Sequence, residues 1–218
     1  MYPSMRIYRS DNLCLEGFGR NSESVRGERD EDVRPAAKWD LQGYVMTCRN
    51  DCIATGASEL PATLNDLISG KAFQKLFDTC TVIILGRNAH EAMPNTKGRT
   101  RVILSSEATA LEHKEGGWWW NPSQMPLENM LRMVAPSGGK VAINGGRTTL
   151  TYFLQNELNT LHVGRAESVA IKDGLKLFAA SDRLISLDEV LRGCGMELTE
   201  RKLIDLKAPI SLSTWQHD

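Results

Sequence analysis

The sequence has 218 residues, 41% of them hydrophobic, which is enough to bury a core as one domain of moderate size with or without an appendage. Its 26 Lys and Arg residues against 27 Asp and Glu residues leave a net charge of −1, so the basic surplus that nonspecific nucleic-acid binding requires is missing. No apolar run is long enough to span a membrane and the N-terminus shows no secretion signal, so we expect a cytoplasmic protein with a small-molecule partner.

The cysteines indicate reduced thiols and no metal centre. The sequence holds 5 of them, an odd number, at spacings that do not form a disulfide framework. Cys48 and Cys52 have no matching second pair, and the histidines are scattered along the chain. Because a zinc site needs further ligands at regular spacing, we expect no metal site.

The first part of the chain, residues 1–39, differs in composition from the remainder. Asn21–Lys38 is rich in charge and poor in apolar residues. Two interpretations stay open: an N-terminal extension or lid that docks on the rest of the chain, or a solvated extension without chemistry. We expect residues 40–218 to form one domain.

Beyond that boundary, short apolar runs alternate with stretches of helical spacing. The strands predicted before residue 154 are Leu41–Cys48, Thr81–Leu85, Arg101–Leu104 and Val141–Ile143. Helical spacing occurs at Leu64–Ile68, Ala72–Phe77, Asn88–Met93, Leu127–Val134 and Arg147–Leu154. A further strand, a loop and a turn that closes on Phe178 come next, and Glu197–Ile204 with Ile210–Trp215 predicts an antiparallel hairpin. The pattern predicts an α/β fold, with a mostly parallel central sheet, an antiparallel C-terminal hairpin and flanking helices.

Three adjacent tryptophans, Trp118–Trp120, fall in the connection after the third of these strands. They are typical of an edge strand or of a patch that covers the surface. Side chains alternate along a strand, so the three cannot all face one side. One or two of them therefore pack against the core or against a ligand.

Phosphate-binding residue types come directly after three of the predicted strands. Gly86-Arg87-Asn88 comes after the second strand, Ser105-Ser106 after the third, and Asn144–Thr149 after the fourth. Arginine and serine bind phosphate oxygens, and a glycine turn that opens a helix presents backbone N–H groups to an anion. A Gly-Gly turn before a helix is also ordinary connection chemistry, and the G-x-G-x-x-G fingerprint is missing. Ligands in open α/β sheets bind outside the carboxyl ends of the strands, so the set predicts a dinucleotide site of another fold.

Two segments resemble known reductases. The segment IATGASELPATLNDL with TVIILGRNAHEAMPNTKGRTRVILSSEA resembles dihydrofolate reductase, whose pattern runs isoleucine-glycine, leucine-proline-tryptophan, a helix acid, G-R-x-T-x-E and G-R-x-x-x-x-L-S. The glycine segment INGGRTTLTYFLQNEL is similar to the reductase domain of riboflavin biosynthesis, which shares this fold and reduces a ribosylaminopyrimidine phosphate. The sequence is therefore identified with the dihydrofolate reductase-like superfamily.

This resemblance implies an NADPH-dependent oxidoreductase that transfers hydride to a C=N bond of a pterin, dihydrofolate-like substrate. The residues that it implies for cofactor binding are Ile53, Ala54, Arg87, Asn88, Ser105, Ser106, Gly145, Gly146, Arg147, Thr148 and Thr149. Those that it implies for substrate binding are Met46, Leu60, Asp66 and Arg99, with Asp66 as the catalytic candidate that anchors the pterin ring. A homodimer is a further expectation from the superfamily.

The residues leave alternatives open. The first is a ribosylaminopyrimidine-phosphate reductase of the riboflavin-pathway type. The second is a non-catalytic NADPH-binding or ligand-binding protein, because Ala62 and Ala89 replace a tryptophan and a threonine of the pattern. Asp66 also fits a first-turn acid that complements the helix dipole, and Arg99 also fits a solvated loop arginine.

Overall fold

The computed structural model describes residues 38–55, 71–114, 116–179, 181, 185–205 and 209–217. Residues 1–37, the predicted helix at Leu64–Ile68, and the predicted site residues Leu60 and Asp66 lie outside the described residues.

Strands and helices alternate through most of the described chain. The strands are β1 (Trp39–Cys48), β2 (Cys52–Ala54), β3 (Val82–Gly86), β4 (Arg101–Leu104), β5 (Leu111–Lys114), β6 (Gly117–Trp120), β7 (Gly139–Asn144), β8 (Thr160–Ala166), β9 (Leu175–Lys176), β10 (Met196–Asp205) and β11 (Ile210–His217). The helices are α1 (Lys71–Phe77), α2 (Arg87–Ala92), α3 (Leu127–Val134), α4 (Arg147–Asn156) and α5 (Leu187–Gly193).

Within the described residues, nine strands form one sheet in the order β10, β11, β8, β1, β7, β3, β4, β6, β5. The strands from β8 to β6 in that order pair in parallel. The hairpin of β10 and β11 is antiparallel and pairs antiparallel with β8. At the other edge, β5 pairs antiparallel with β6. The predicted α/β fold, with its mostly parallel sheet and C-terminal hairpin, is confirmed.

Helices pack on both faces of this sheet, as the continuous apolar strands predict. The run Val82–Leu85 in β3 is buried on both of its sides. One face packs against α3, α4 and α5, for example through Phe153 and Leu191. The other face packs against α1 through Phe77. Because the central strands are parallel, their carboxyl ends lie along the same side of the sheet, and the loops that follow them lie there too.

The tryptophan strand lies inside the sheet, so the prediction of an edge strand is wrong. β6 pairs with β4 on one side and with β5 on the other. Trp120 is fully buried and its indole N–H donates to the carbonyl of Met125 at 2.8 Å. The prediction that one of the tryptophans packs in the core is confirmed.

Helix α5 was not predicted, although its start carries a recognisable signal. Ser186 accepts a hydrogen bond from the Glu189 backbone N–H, and the Glu189 carboxylate accepts one from the Ser186 backbone N–H. This reciprocal pair is a capping box, readable in the sequence as Ser-x-x-Glu before an apolar run. The hydrogen bonds from Ser186 also hold the pKa of Glu189 below its usual value.

We predict a pH-dependent stability that arises from His162 in β8. Burial lowers the pKa of His162, and the nearby Lys140 lowers it further. The ring stacks on Tyr44 with centroids 4.9 Å apart, and its Nδ1 lies 3.2 Å from the Thr214 hydroxyl. The unfolded chain binds a proton here near pH 6.5 while the folded chain does not, so stability falls as the pH drops below about 6.5.

Urea unfolding at pH 7.5 and pH 5.5 measures this effect. The replacement His162→Gln should reduce the loss of unfolding free energy between the two pH values. Equal losses in the wild type and in the variant would contradict the assignment to His162.

Candidate functional site

A cavity of about 680 Å³ opens at the carboxyl ends of the parallel strands. Its walls come from β1, from the ends of β3, β4 and β7, from β2 and β9, and from the starts of α2 and α4. The predicted site residues that line it are Met46, Ile53, Ala54, Arg87, Asn88, Gly145, Gly146, Arg147, Thr148 and Thr149. Segments far apart in the sequence therefore meet at one cavity.

The glycines at two strand ends let the backbone of this site pack closely. A Cβ at Gly145 would lie 2.8 Å from both the Cβ and the Oγ1 of Thr149, and a Cβ at Gly86 would lie 2.9 Å from that Oγ1. Real Cβ atoms do not approach so closely without a shift of their neighbours. Thr149, which is buried, thus fills the space beside both glycines and fixes the turn before α4.

The N-terminus of α4 lines this cavity. Gly146 is its N-cap and provides no side chain to bond the first N–H groups of the helix. A Cβ at Gly146 would lie 3.7 Å from Ile53 Cδ1, an ordinary contact, so the position has room for a side chain. The N-terminal N–H groups and the dipole of a helix of 10 residues favour a negatively charged ligand here.

The turn between β1 and β2 holds one wall of the cavity in place. The Asn50 side chain donates to the Ile171 carbonyl at 2.9 Å and accepts from the Ile171 N–H at 3.1 Å. The Lys176 ammonium donates to the Asn50 carbonyl. This clamp brings β9 alongside β2, so that Leu175 joins Ile53 on the cavity wall.

Sequence reasoning missed several residues of the wall. Val45, Leu104 and Leu175 line the cavity, and so does Ala89, which the sequence marks only as a departure from the family pattern. Asn144, which the sequence predicts as part of the strand-end set, also lines the cavity and is buried at the end of β7, directly before the glycine pair. No local feature of the sequence marks Leu175 as a site residue, because only the pairing of its strand with β2 brings it to the cavity.

Arg87 connects the cavity with the loop after β4. Its guanidinium donates to the Ser105 hydroxyl at 3.3 Å and lies 2.9 Å from the Glu107 carboxylate. Ser105 is buried, whereas Ser106 is exposed. The two predicted serines lie beyond the cavity lining itself, and Ser105 connects to that lining through Arg87.

Arg99 lies against α1. Its guanidinium donates to the Gln74 side chain at 2.8 Å and to the Asp78 carboxylate at 3.1 Å through Nε, and it lies 5.9 Å from the centre of the Phe77 ring. Hydrogen bonds from Lys97 and Arg99 hold the pKa of Asp78 below its usual value. The role of Arg99 in binding substrate stays a prediction.

Asn121, which the sequence did not single out, holds the loop that carries the serines. Its amide donates to the carbonyls of Ser106 and Ala108 at 3.2 and 2.9 Å. Its Oδ1 accepts from the hydroxyl and the N–H of Ser123. Because Asn121 is buried, its loss leaves these loop carbonyls without their donor.

We predict that Asn121→Ala lowers the free energy of unfolding by about 2 kcal/mol, since it leaves buried polar groups unsatisfied. Urea denaturation measures the loss. Ser123→Ala is the control and should cost about 1 kcal/mol or less, because it removes one hydroxyl at the edge of the same network. Equal losses in the two variants would contradict a central role for Asn121.

Two further findings concern the part of the chain that the structure describes. It contains no group of three or more His, Cys, Asp or Glu side chains arranged to hold a metal ion. None of its helices combines the length and the apolar character needed to cross a membrane.

Comparison with solved structures identifies the fold. A dihydrofolate reductase from Enterococcus faecalis, in complex with NADP(H) and RAB-propyl, matches with a TM-score of 0.56 and 18% identity over 84% of this chain and 98% of its own. A putative riboflavin biosynthesis protein from Shewanella sp. PV-4 matches with a TM-score of 0.57 and 14% identity over 82% of this chain and 99% of its own. No protein-family model matches the sequence, and neither does any curated protein.

The chain has the dihydrofolate reductase-like fold. The fold expected from the two quoted segments is thereby confirmed, since a dihydrofolate reductase and a putative riboflavin biosynthesis protein are both among its structural neighbours.

Proposed function

We propose that this protein is an NADPH-dependent reductase that transfers hydride to a C=N bond of a pterin, dihydrofolate-like substrate. The observation that carries the proposal is the cavity at the strand ends, where Arg87 and the start of α4 at Gly146 line one space. The neighbour from Enterococcus faecalis was solved with NADP(H), which supports the choice of cofactor.

The residues present fit a phosphorylated dinucleotide. The α4 N-terminus suits the pyrophosphate, because its N–H groups and its dipole favour an anion. Gly145 packs directly on Thr149, which holds the turn before this helix in place. In this proposal Arg87, Asn88, Ser105 and Ser106 bind the 2′-phosphate end of the cofactor.

Part of the cavity wall is apolar and suits the nicotinamide. Met46, Ile53 and Ala54 line it, and all three are buried. A dry, shaped wall holds a flat ring against a substrate ring and excludes water from between them. Ile53 and Ala54 would therefore orient the nicotinamide, and the clamp at Asn50 keeps their strand in place.

When bound, NADPH supplies the hydride, and the protein supplies alignment and exclusion of water. In the proposal the Asp66 carboxylate anchors the substrate ring, because it accepts paired hydrogen bonds from the amino group and a ring nitrogen of the substrate. Asp66 also helps to protonate the nitrogen that is reduced. Met46 and Leu60 would pack against that ring.

A second candidate, a ribosylaminopyrimidine-phosphate reductase, is favoured by the surroundings of Arg99. This arginine would hold the glutamate tail of folate, yet its side chain is only 14% exposed and its guanidinium is bonded to Asp78 and Gln74. An aminopyrimidine substrate needs no such tail-binding arginine. The riboflavin biosynthesis protein among the structural neighbours supports the same alternative.

The test is the loss of absorbance at 340 nm when the full chain is mixed with NADPH and either dihydrofolate or a ribosylaminopyrimidine phosphate. Turnover with dihydrofolate supports the first proposal, and turnover with the pyrimidine alone supports the second. Saturable NADPH binding without turnover of either would mean a non-catalytic binding protein. Failure to bind NADPH would overturn both reductase proposals and the proposal of a non-catalytic NADPH-binding protein.

Arg99→Ala separates the two substrates further. If Arg99 binds the folate tail, the variant should raise the KM for dihydrofolate while the KM for dihydropterin, which lacks the tail, stays the same. Equal changes for the two compounds would assign Arg99 to the packing of α1.

A further inference from the structure

A carboxylate lies beside the arginine that the proposed function gives to the 2′-phosphate. Glu107 Oε1 lies 2.9 Å from Arg87 Nη2, and that same nitrogen donates to the Ser105 hydroxyl at 3.3 Å. The Glu107 backbone N–H also donates to this hydroxyl at 3.2 Å. Arg87, Ser105 and Glu107 therefore form one connected group beside the cavity, which we call the Arg87 cluster.

The charge of the Arg87 cluster is balanced before any ligand arrives. The arginine contributes one positive charge, the glutamate one negative charge, and the serine none. A phosphate that binds Arg87 must displace the Glu107 carboxylate or lie within a few ångströms of it, where like charges repel. A ribose hydroxyl behaves in the opposite way, because it can donate a hydrogen bond to that carboxylate.

The backbone that carries the carboxylate is held in place. Asn121 bonds the carbonyls on both sides of Glu107, those of Ser106 and Ala108. The side chain itself is exposed, so it can turn toward a ligand or away from it. Glu107 is therefore positioned at the Arg87 cluster by the loop and is free to respond to a ligand that binds there.

We infer that Glu107 is a specificity-determining residue that reduces the preference for NADPH over NADH. It competes with the 2′-phosphate for Arg87 and accepts a hydrogen bond from the 2′-hydroxyl of NADH. The inference rests on the proposed function, since it assumes that the adenosine end of a nicotinamide dinucleotide binds at Arg87. The inference adds that the protein uses both NADPH and NADH, and that the Glu107 side chain sets the ratio of their affinities.

The test compares 2′,5′-ADP with 5′-AMP by calorimetric titration at pH 7.5, because these probes differ by the 2′-phosphate alone. Glu107→Gln should raise the affinity for 2′,5′-ADP about fivefold, as removal of one exposed charge near a phosphate allows. The affinity for 5′-AMP should stay equal or fall. Glu107→Ala should shift the ratio in the same direction, which guards against an effect peculiar to glutamine.

Glu128→Gln is the matched control. Glu128 is exposed on α3 and pairs with Arg132 at 2.6 Å, so its replacement removes the same charge elsewhere on the protein. The control should leave the ratio of the two probes unchanged. A shift of the same size in the control would overturn the inference, because it would show an effect of net charge.

The remaining outcomes separate this inference from the proposed function. If the wild type binds NADPH and neither Glu107 variant changes the ratio of the two probes, the inference fails while the cofactor site stands. If the wild type binds neither NADPH nor the probes, the proposed cofactor site fails and the inference fails with it.

Discussion

Replacement of Gly146 by Asp is expected to weaken NADPH binding by roughly 30-fold, or about 2 kcal/mol, and to leave the fold at least as stable as before. Gly146 is the N-cap of α4, with φ −85° and ψ −164°, a backbone conformation that any residue adopts. Its Cβ position meets only Ile53 Cδ1, at 3.7 Å. Asp is among the preferred N-cap residues, so the helix gains a few tenths of a kcal/mol.

NADPH binding is expected to weaken because the new Asp carboxylate accepts hydrogen bonds from the N–H groups proposed for the pyrophosphate. The carboxylate also repels the negative charge of the pyrophosphate. Gly146→Asn is the matched control, since it caps the helix equally well without a charge. It should retain more of the affinity than the Asp variant. Thermal unfolding and NADPH titration measure the two effects separately. Unchanged NADPH affinity in the Asp variant would contradict the proposal that the pyrophosphate binds at the N-terminus of α4.

Replacement of Asp51 by Ala is expected to lower the free energy of unfolding by about 3 kcal/mol. Asp51 lies in the turn between β1 and β2 with φ +62°, in the left-handed region. Its carboxylate accepts from Arg165 at 2.7 Å and from the Leu187 N–H, at the start of α5, at 3.1 Å. Ala would lose both bonds and keep the backbone strain.

Two further variants divide this effect into its parts. Asp51→Asn keeps an acceptor and tolerates the left-handed conformation, so it should cost less than the Ala variant. Asp51→Gly loses both bonds but removes the strain, so it should fall between the two. Urea unfolding gives the order. If the Gly and Ala variants were equally unstable, the positive φ would contribute nothing measurable.

Much of the fold was predictable because the residue pattern of each central strand is itself typical of a buried strand. Branched apolar runs such as Val82–Leu85 suit strands buried on both faces, and the glycine pair after Asn144 marks the turn into α4. Residues at the ends of parallel strands must meet at one edge of the sheet. This is why Arg87 and Thr148, predicted from separate segments, line the same cavity.

The rest depends on pairings between distant residues, which a single sequence does not reveal. Leu175 reaches the cavity because β9 pairs with β2, an arrangement that the bond from Asn50 to Ile171, more than a hundred residues away in the chain, supports. The hydrogen bond between Arg99 and Gln74 of α1 is also a tertiary contact. Helix α5 is short, and its capping box was the only local sign of it. Local patterns thus predicted the elements and the strand ends, while tertiary contacts determined the walls of the site.

Calorimetric titration of NADPH into the full chain tests most directly the central claim that the cavity at the strand ends is a cofactor site. We expect saturable one-to-one binding that is strongly weakened in Gly146→Asp and largely retained in Gly146→Asn. An absence of binding to the wild type at millimolar NADPH, or equal affinity in all three proteins, would contradict the claim.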